Sequence, residues 1–325
     1  RLSIIFSILF ISSHAQDLIK SGPMVGYSTM QEVLLWVQTD EKAKVHFEYY
    51  EIDNPKIRFK TNNKDTDKKS GYVAKLIADQ VAPGKKYKYE IFINDLKVER
   101  DYVMEFQSQK LWKWRTDPPD VSFVIGSCSY VNEPQFDRPG KPYGNNFEIF
   151  NSIHSKNPDF MLWLGDNTYL REPDWNSRTG FINRYSHTRA LAELQPLLAS
   201  THHYATWDDH DFGPNNSDGS FWLKETASEI FKLFWGNPNY DVTGKGGITG
   251  FFQWGDLDFF LMDNRYHRTS NNNFTEDRQL LGKDQIDWLI NALSFSQAPF
   301  KFIAIGGQVL SSGAVYENYA TYPEE

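Results

Sequence analysis

Hydrophobic and polar positions along the chain fall into two regimes. From about residue 17 to 112 the apolar runs are short. Residues 33–39, 44–51, 72–78, 86–94 and 102–107 are rich in β-branched and aromatic side chains, with turn-formers and charges between them. Runs of that kind at spacings of roughly 8–12 residues predict a β-sandwich. The lysine-rich stretch 56–69 reads as a solvated loop. Asp117-Pro118-Pro119-Asp120 then reads as a linker. Beyond it strands and helices alternate. The pattern predicts strands at 121–126, 159–164, 203–207 and 300–305, with a hairpin of 251–254 and 257–262 around Gly255-Asp256. It predicts helices at 147–156, capped by Asn145-Asn146, at 181–199 with an interruption at Pro196, and at 283–293. The second half is therefore α/β with a mixed sheet.

The N-terminus changes the picture. Arg1, an apolar run over 2–11, and Ser13-His14-Ala15 before Gln16 have the layout of a secretory signal peptide. Residues 1–15 are thus expected to direct export, to a secreted or periplasmic destination. The run is too short to span a bilayer, which takes about 20 apolar residues, and no later segment is long and apolar enough. A chain that opens on Arg1 is expected to have lost its first residues. The expected organisation is 1–15 signal, 16–113 sandwich, 114–120 linker and 121–325 catalytic domain.

Charge narrows the chemistry. The 325 residues carry 34 Lys+Arg and 42 Asp+Glu, a net charge of −8. That balance argues against nonspecific nucleic-acid binding, which runs on basic side chains at phosphates. Aromatics at 16% exclude a disordered chain. If such a chain handles a phosphate ester, a bound cation is the obvious source of positive field. Cys128 is the single cysteine, so a disulfide scaffold is excluded. On its own it reads as a buried inert thiol, with a metal-bound thiolate as the alternative.

Chemistry collects behind the strands, where α/β sheets bind ligands. The predicted strands are followed by Gly126-Ser127-Cys128, Gly165-Asp166-Asn167-Thr168-Tyr169, Asp208-Asp209-His210-Asp211, Asp263-Asn264-Arg265 and Gly306-Gly307-Gln308. Three carboxylates and an imidazole within four residues would repel and raise one another's pKa, and a multivalent cation turns that repulsion into coordination. The alternative is a surface acidic loop, against which flanking Trp207 and Phe212 speak. Asp166, behind an apolar strand, is costly to bury without a partner. Tyr169 alone reads as a core or hydrogen-bonded tyrosine. Adjacent His202 and His203 point to opposite faces of a strand and read as structural. No G-x-S-x-G elbow or P-loop occurs.

In their order and places these motifs resemble the PhoD-like alkaline phosphatases of the metallophosphoesterase superfamily. The resemblance rests on GSC, GDxxY and WDDHD. It also rests on Arg184-Tyr185, the stretch 211–218 (DFGPNNSD) and Asp263-x-Arg265. Ser21-Gly22-Pro23-Met24 leading into Leu35-Trp36-Val37 resembles the family's fibronectin-like N-terminal domain. The resemblance implies a fibronectin-like β-sandwich followed by a mixed-sheet α/β metallophosphoesterase-type sandwich with an Fe3+ and Ca2+ site. It implies Cys128 and Tyr169 as ligands of the iron, Asp166 as the carboxylate shared between metals, Asp209 as a ligand and Asp208 as a co-ligand. It implies His210 at the scissile phosphate, with Asn215 and Arg265 as weaker carry-overs to the metal and catalytic sets. Superfamily members close the site with a later histidine-containing motif. No histidine follows His267, so the chain is expected to lack a C-terminal part.

The implied activity is hydrolysis of a small phosphate monoester or diester by a metal-activated water. A secreted glycoside hydrolase, using paired carboxylates, predicts activity that survives a chelator. A noncatalytic calcium-dependent binding protein predicts metal-dependent stability without turnover.

Overall fold

The computed structural model describes residues 18–137, 139–143, 146–274 and 277–325. The predicted signal segment and Asn145 of the predicted helix cap lie outside them. In chain order the N-terminal half forms β1 (Ile19–Ser28), β2 (Val33–Thr39), β3 (Lys44–Glu51), β4 (Phe59–Lys60), β5 (Lys64–Asp65), β6 (Val73–Ala78), β7 (Lys86–Ile93), β8 (Leu96–Val98) and β9 (Glu105–Gln107). There follow β10 (Phe123–Gly126), α1 (Glu148–His154), β11 (Phe160–Leu164), α2 (Arg178–Arg189), α3 (Gln195–Ser200), β12 (His202–Thr206), α4 (Asp209–Phe212) and α5 (Lys224–Phe234). The chain ends with β13 (Gly250–Trp254), β14 (Leu257–Leu261), α6 (Lys283–Phe295) and β15 (Phe300–Ala304).

The strands among the described residues form three sheets. One runs β10-β11-β12-β1-β2-β6, a second runs β4-β3-β7-β8, and the third is β13-β14-β15. The first is mixed: β10, β11, β12 and β1 are parallel, while β2 and β6 are antiparallel to their neighbours. In the third, β13–β14 is antiparallel and β14–β15 parallel. The expected α/β architecture with an N-terminal β-sandwich is therefore present.

The two halves share their central sheet. Val25 of β1 registers with His202 of β12, so the sandwich continues into the α/β layer. This accounts for the unbroken apolar run of β2, which is buried at every position. Leu35 and Val37 face the sandwich core with Val45, Phe47 and Ile91. Leu34 and Trp36 face the opposite way, into a core with Phe181, Leu197 and Phe234 of the helices. A strand buried on both faces loses the apolar–polar alternation of a free-standing sandwich. β1 lies outside the predicted strands. Its Gly22-Pro23 and Gly26 depress strand propensity. Gly26 is nonetheless required, because a Cβ there would come within 3.0 Å of the Gly236 carbonyl oxygen.

The helix at 148–154 is present, but Phe147 occupies its N-cap position and no side chain caps it. The expected Asn146 cap is thus not formed. Pro196 does not kink one long helix; it opens α3, where its missing N–H costs nothing. α5, unanticipated, buries Ala227, Ile230, Phe231 and Phe234 as one apolar stripe. Between the first and third sheets lies an aromatic core in which Tyr204 stacks on Phe252 at 3.7 Å and Phe252 on Phe259 at 4.5 Å. This packing aligns the carboxyl ends of β10, β11, β12, β14 and β15 at one edge of the sandwich. No helix among the described residues is long and apolar enough to cross a membrane.

Candidate active site

Two parallel strands deliver the first donors. Beyond β10 and β11 the backbone ladder continues, with Cys128 N–H donating to Gly165 O (3.1 Å) and Ser129 N–H to Asp166 O (2.8 Å). Cys128 and Asp166 both adopt positive φ, 60° and 52°. Non-glycine residues hold that conformation at a cost that surrounding structure must offset, and such positions concentrate at functional sites. Here both side chains are turned toward each other: Cys128 Sγ lies 3.8 Å from Asp166 Oδ2. The Tyr169 hydroxyl donates to the same oxygen at 3.0 Å. Cys128 is exposed, which removes the buried-thiol reading.

The third strand adds Asp209 and His210. One donor atom each from Asp166, Asp209 and His210 lie within 4.8 Å of one another. The His210 N–H points at Asp166 Oδ1 (3.3 Å) and its ring packs on Tyr169 at 4.5 Å. Trp207 and Phe212 are fully buried, so the acidic stretch is not a surface loop. Asp211 is also fully buried and turns away from the cluster, accepting from Asn167 N (3.2 Å), Thr168 N (3.0 Å) and Asp208 N (3.1 Å). It ties the turn after β11 to the turn after β12.

Glycines let these turns meet. A Cβ on Gly165, at φ 97°, would lie 2.7 Å from the Asp208 Cβ, and one on Gly306 would lie 2.3 Å from the Trp207 carbonyl oxygen. Gly165→Ala is expected to lose about 2–4 kcal/mol of stability through overlap and backbone strain. Urea unfolding checks this, and a loss below about 0.5 kcal/mol would show that the two turns can part freely.

Electrostatics mark Asp166. Burial, then Asp209 and Asp208, push its carboxyl up to about 7. Burial also raises Asp209, but Arg265, His210 and the Asn216 N–H (2.6 Å from Asp209 Oδ2) hold it below the usual carboxylate range. Burial lowers His210, and Asp209 and Asp208 only partly oppose it. Burial, Asp166 and Cys128 raise the Tyr169 phenol. The cluster thus carries more acidic capacity than the protein's own charges satisfy.

Three expected site residues differ in the structure. Asp208 Oδ1 accepts from Arg265 Nε (2.6 Å) and Asn264 Nδ2 (2.8 Å), so the expected co-ligand already has partners. Arg265, expected among the catalytic set, is 1% exposed and its other edge is taken by Glu317 at 3.0 and 3.2 Å. Asn215 is exposed, and its neighbour Asn216 makes the contact with Asp209 instead. Glu317 lies outside the predicted motifs, whereas Asp263 belongs to the predicted Asp263-Asn264-Arg265 strand end. Asp263 accepts from Trp207 Nε1 (2.7 Å), Arg265 N (2.9 Å), Tyr266 N (3.0 Å) and Ile248 N (2.9 Å). A lone glutamate in a distant loop leaves no local sequence signal. His202 and His203 are buried and hydrogen-bonded to Gly26 O (2.8 Å) and Trp163 Nε1 (3.0 Å), as structural histidines.

Residues 236–320 match the model of the PhoD-like phosphatase family, and residues 16–111 match a domain of unknown function, DUF7800. No curated protein matches. Among solved structures, PhoD is similar at a TM-score of 0.74 and 17% identity, over 96% of this chain and 68% of that one. The purple acid phosphatase PPD1 from yellow lupin (Lupinus luteus) seeds is similar at 0.59 and 13%, over 90% of this chain and 52% of that one. At such identities these two likenesses speak for the fold. The chain thus has the fold of PhoD, and its residues 236–320 match the PhoD-like phosphatase family model.

Proposed function

We propose that the protein is an exported, metal-dependent phosphoesterase acting on small phosphate esters. The observation that carries this is the convergence of Cys128, Asp166, Tyr169, Asp209 and His210 from three strand ends onto one carboxylate-centred cluster. The donor set fits a cation. Asp166 meets a hydroxyl, a backbone N–H and a thiol, but no Lys or Arg pairs with it among the described residues. The thiol and phenol of Cys128 and Tyr169 suit a trivalent iron once deprotonated, and the carboxylates suit calcium. A cation bound there supplies a Lewis acid for the phosphoryl group and lowers the pKa of water.

The chain's own residues supply the remaining work. Asp166, shared by the Cys128 and Tyr169 side and the Asp209 side, orients both. His210 presents a ring N–H for hydrogen bonding to a phosphoryl or departing oxygen. Tyr169 is held by Tyr130, whose ring lies 4.8 Å away, and by Arg171, whose guanidinium sits 4.1 Å over Tyr130 and donates to the Tyr169 carbonyl. This wall keeps the phenol beside Asp166. Export rests on the layout of residues 1–15.

The test is turnover of nitrophenyl phosphate and bis-nitrophenyl phosphate before and after chelation, with elemental analysis of the same samples. Metal removal is expected to reduce kcat/KM by at least about 100-fold, restored on adding iron and calcium. Undiminished turnover by metal-free protein would overturn the proposal and favour a carboxylate-only hydrolase.

A further inference from the structure

The acidic cluster is divided, and the division is made by an arginine. Arg265 is fixed in a buried frame. Its Nε and Nη2 lie 2.6 and 2.5 Å from Asp208 Oδ1, and Nη2 lies 3.9 Å from Asp209 Oδ1. Its opposite edge makes two bonds to Glu317, and Nη1 also donates to Ser217 O at 3.2 Å. Those contacts spend nearly all of the five N–H donors of a guanidinium. The group is always charged and its planar fork is matched bidentately to Glu317.

Glu317 is itself anchored. Arg268 Nη2 lies 3.2 Å from it and Asn271 Nδ2 donates at 2.9 Å. Asn271 in turn accepts from the Tyr322 hydroxyl at 2.7 Å and from Arg268 at 2.7 Å. Arg265 therefore cannot swing away from Asp208 without leaving Glu317 uncompensated, and removing one partner from a buried ion pair is strongly unfavourable. Among the described residues Asp166 meets no such cation, and Asp209 meets the guanidinium only at its 3.9 Å edge. The negative charge left for an exogenous ion is on Asp166 and Asp209.

We propose that Arg265, locked by Glu317, is a built-in counter-cation that withdraws Asp208 from the metal's ligand set, confining metal binding to the Cys128, Asp166, Tyr169 and Asp209 side. The inference rests on the site's being a cation site. It makes Arg265 and Glu317 positioning residues and gives Asp208 a partner inside the protein.

Metal content distinguishes the outcomes. The full chain and three variants are dialysed against calcium and iron, and bound metal per chain is measured alongside the thermal midpoint. Asp208→Asn keeps an acceptor oxygen for Arg265 and is expected to bind as many cations as the parent chain. Asp209→Asn is expected to weaken binding by at least about tenfold. Arg265→Met keeps the stem's bulk, frees Asp208 and Asp209 together, and is expected to take up an additional divalent cation. If Arg265→Met does not fold, the Asp208→Asn result decides alone. A metal-loaded parent chain with a folded Asp208→Asn variant that loses a cation overturns this inference and leaves the phosphoesterase reading standing. A parent chain that binds no divalent or trivalent cation overturns both.

Discussion

Asp166→Asn is expected to abolish ester hydrolysis and, in metal-free protein, to raise stability. The side chain stands where the contacts of Cys128, Tyr169 and His210 meet. Burial and the neighbouring carboxylates of Asp209 and Asp208 lift its pKa to about 7, above the unfolded value of 3.8. The folded state therefore holds a proton that the unfolded state has released. Stability falls as pH rises from about 4 to about 7, by on the order of 4 kcal/mol, and is then level. An uncharged amide removes that deficit. Asparagine also tolerates the left-handed backbone at this position, φ 52°, better than most residues, so the turn is preserved. The metal-stripped variant should melt several degrees above the parent at pH 8, and the gap should close near pH 4. Turnover should drop by at least about 100- to 1,000-fold, the scale of losing one preorganised electrostatic partner. Turnover within about tenfold of the parent would remove Asp166 from the mechanism, and a lower melting point at pH 8 would contradict the electrostatic account.

Asp263→Ala is expected to be the most damaging single truncation at the site's base. The carboxylate is fully buried and satisfies four donors, three from backbone and one from the Trp207 indole. Orphaning buried donors costs about 1–3 kcal/mol each, with losses that do not add fully. The expected loss is about 3–5 kcal/mol in urea unfolding at unchanged slope. Activity should fall too, because the Arg265 N–H loses its anchor and Arg265 is what holds Asp208. Asp263→Asn retains an acceptor oxygen and should lose less than half as much. A loss below about 1 kcal/mol for the alanine variant would mean that solvent replaces the four bonds.

Much of this was legible along the chain. The strand ends at Gly126, Leu164 and Thr206 were read within a residue or so, and the acidic turns behind them were recognised as the place for chemistry. Trp207 and Phe212 correctly signalled burial of the acidic stretch. α5 is legible in its residues, since Ala227, Ile230, Phe231 and Phe234 recur at helical spacing. β1 was not legible. Its glycines and proline argue against a strand, and its burial comes from contact with Gly236 and the helices, more than two hundred residues away in the case of Gly236.

The partition follows from range. Local sequence determined which residues lie in strands and turns, because apolar periodicity, glycine and proline act over a few neighbouring positions. It also determined which donors were available: one thiol, a GDxxY phenol and carboxylate, and the carboxylates and imidazole of WDDHD. Only the tertiary structure decided how those carboxylates are apportioned. Asp208 goes to Arg265, fifty-seven residues on, which is held in turn by Glu317, fifty-two further. Hydrogen bonds and ion pairs are settled over 2.5–4 Å in space, and nothing in the spacing of residues along a chain encodes a distance between loops that meet only when three sheets have packed.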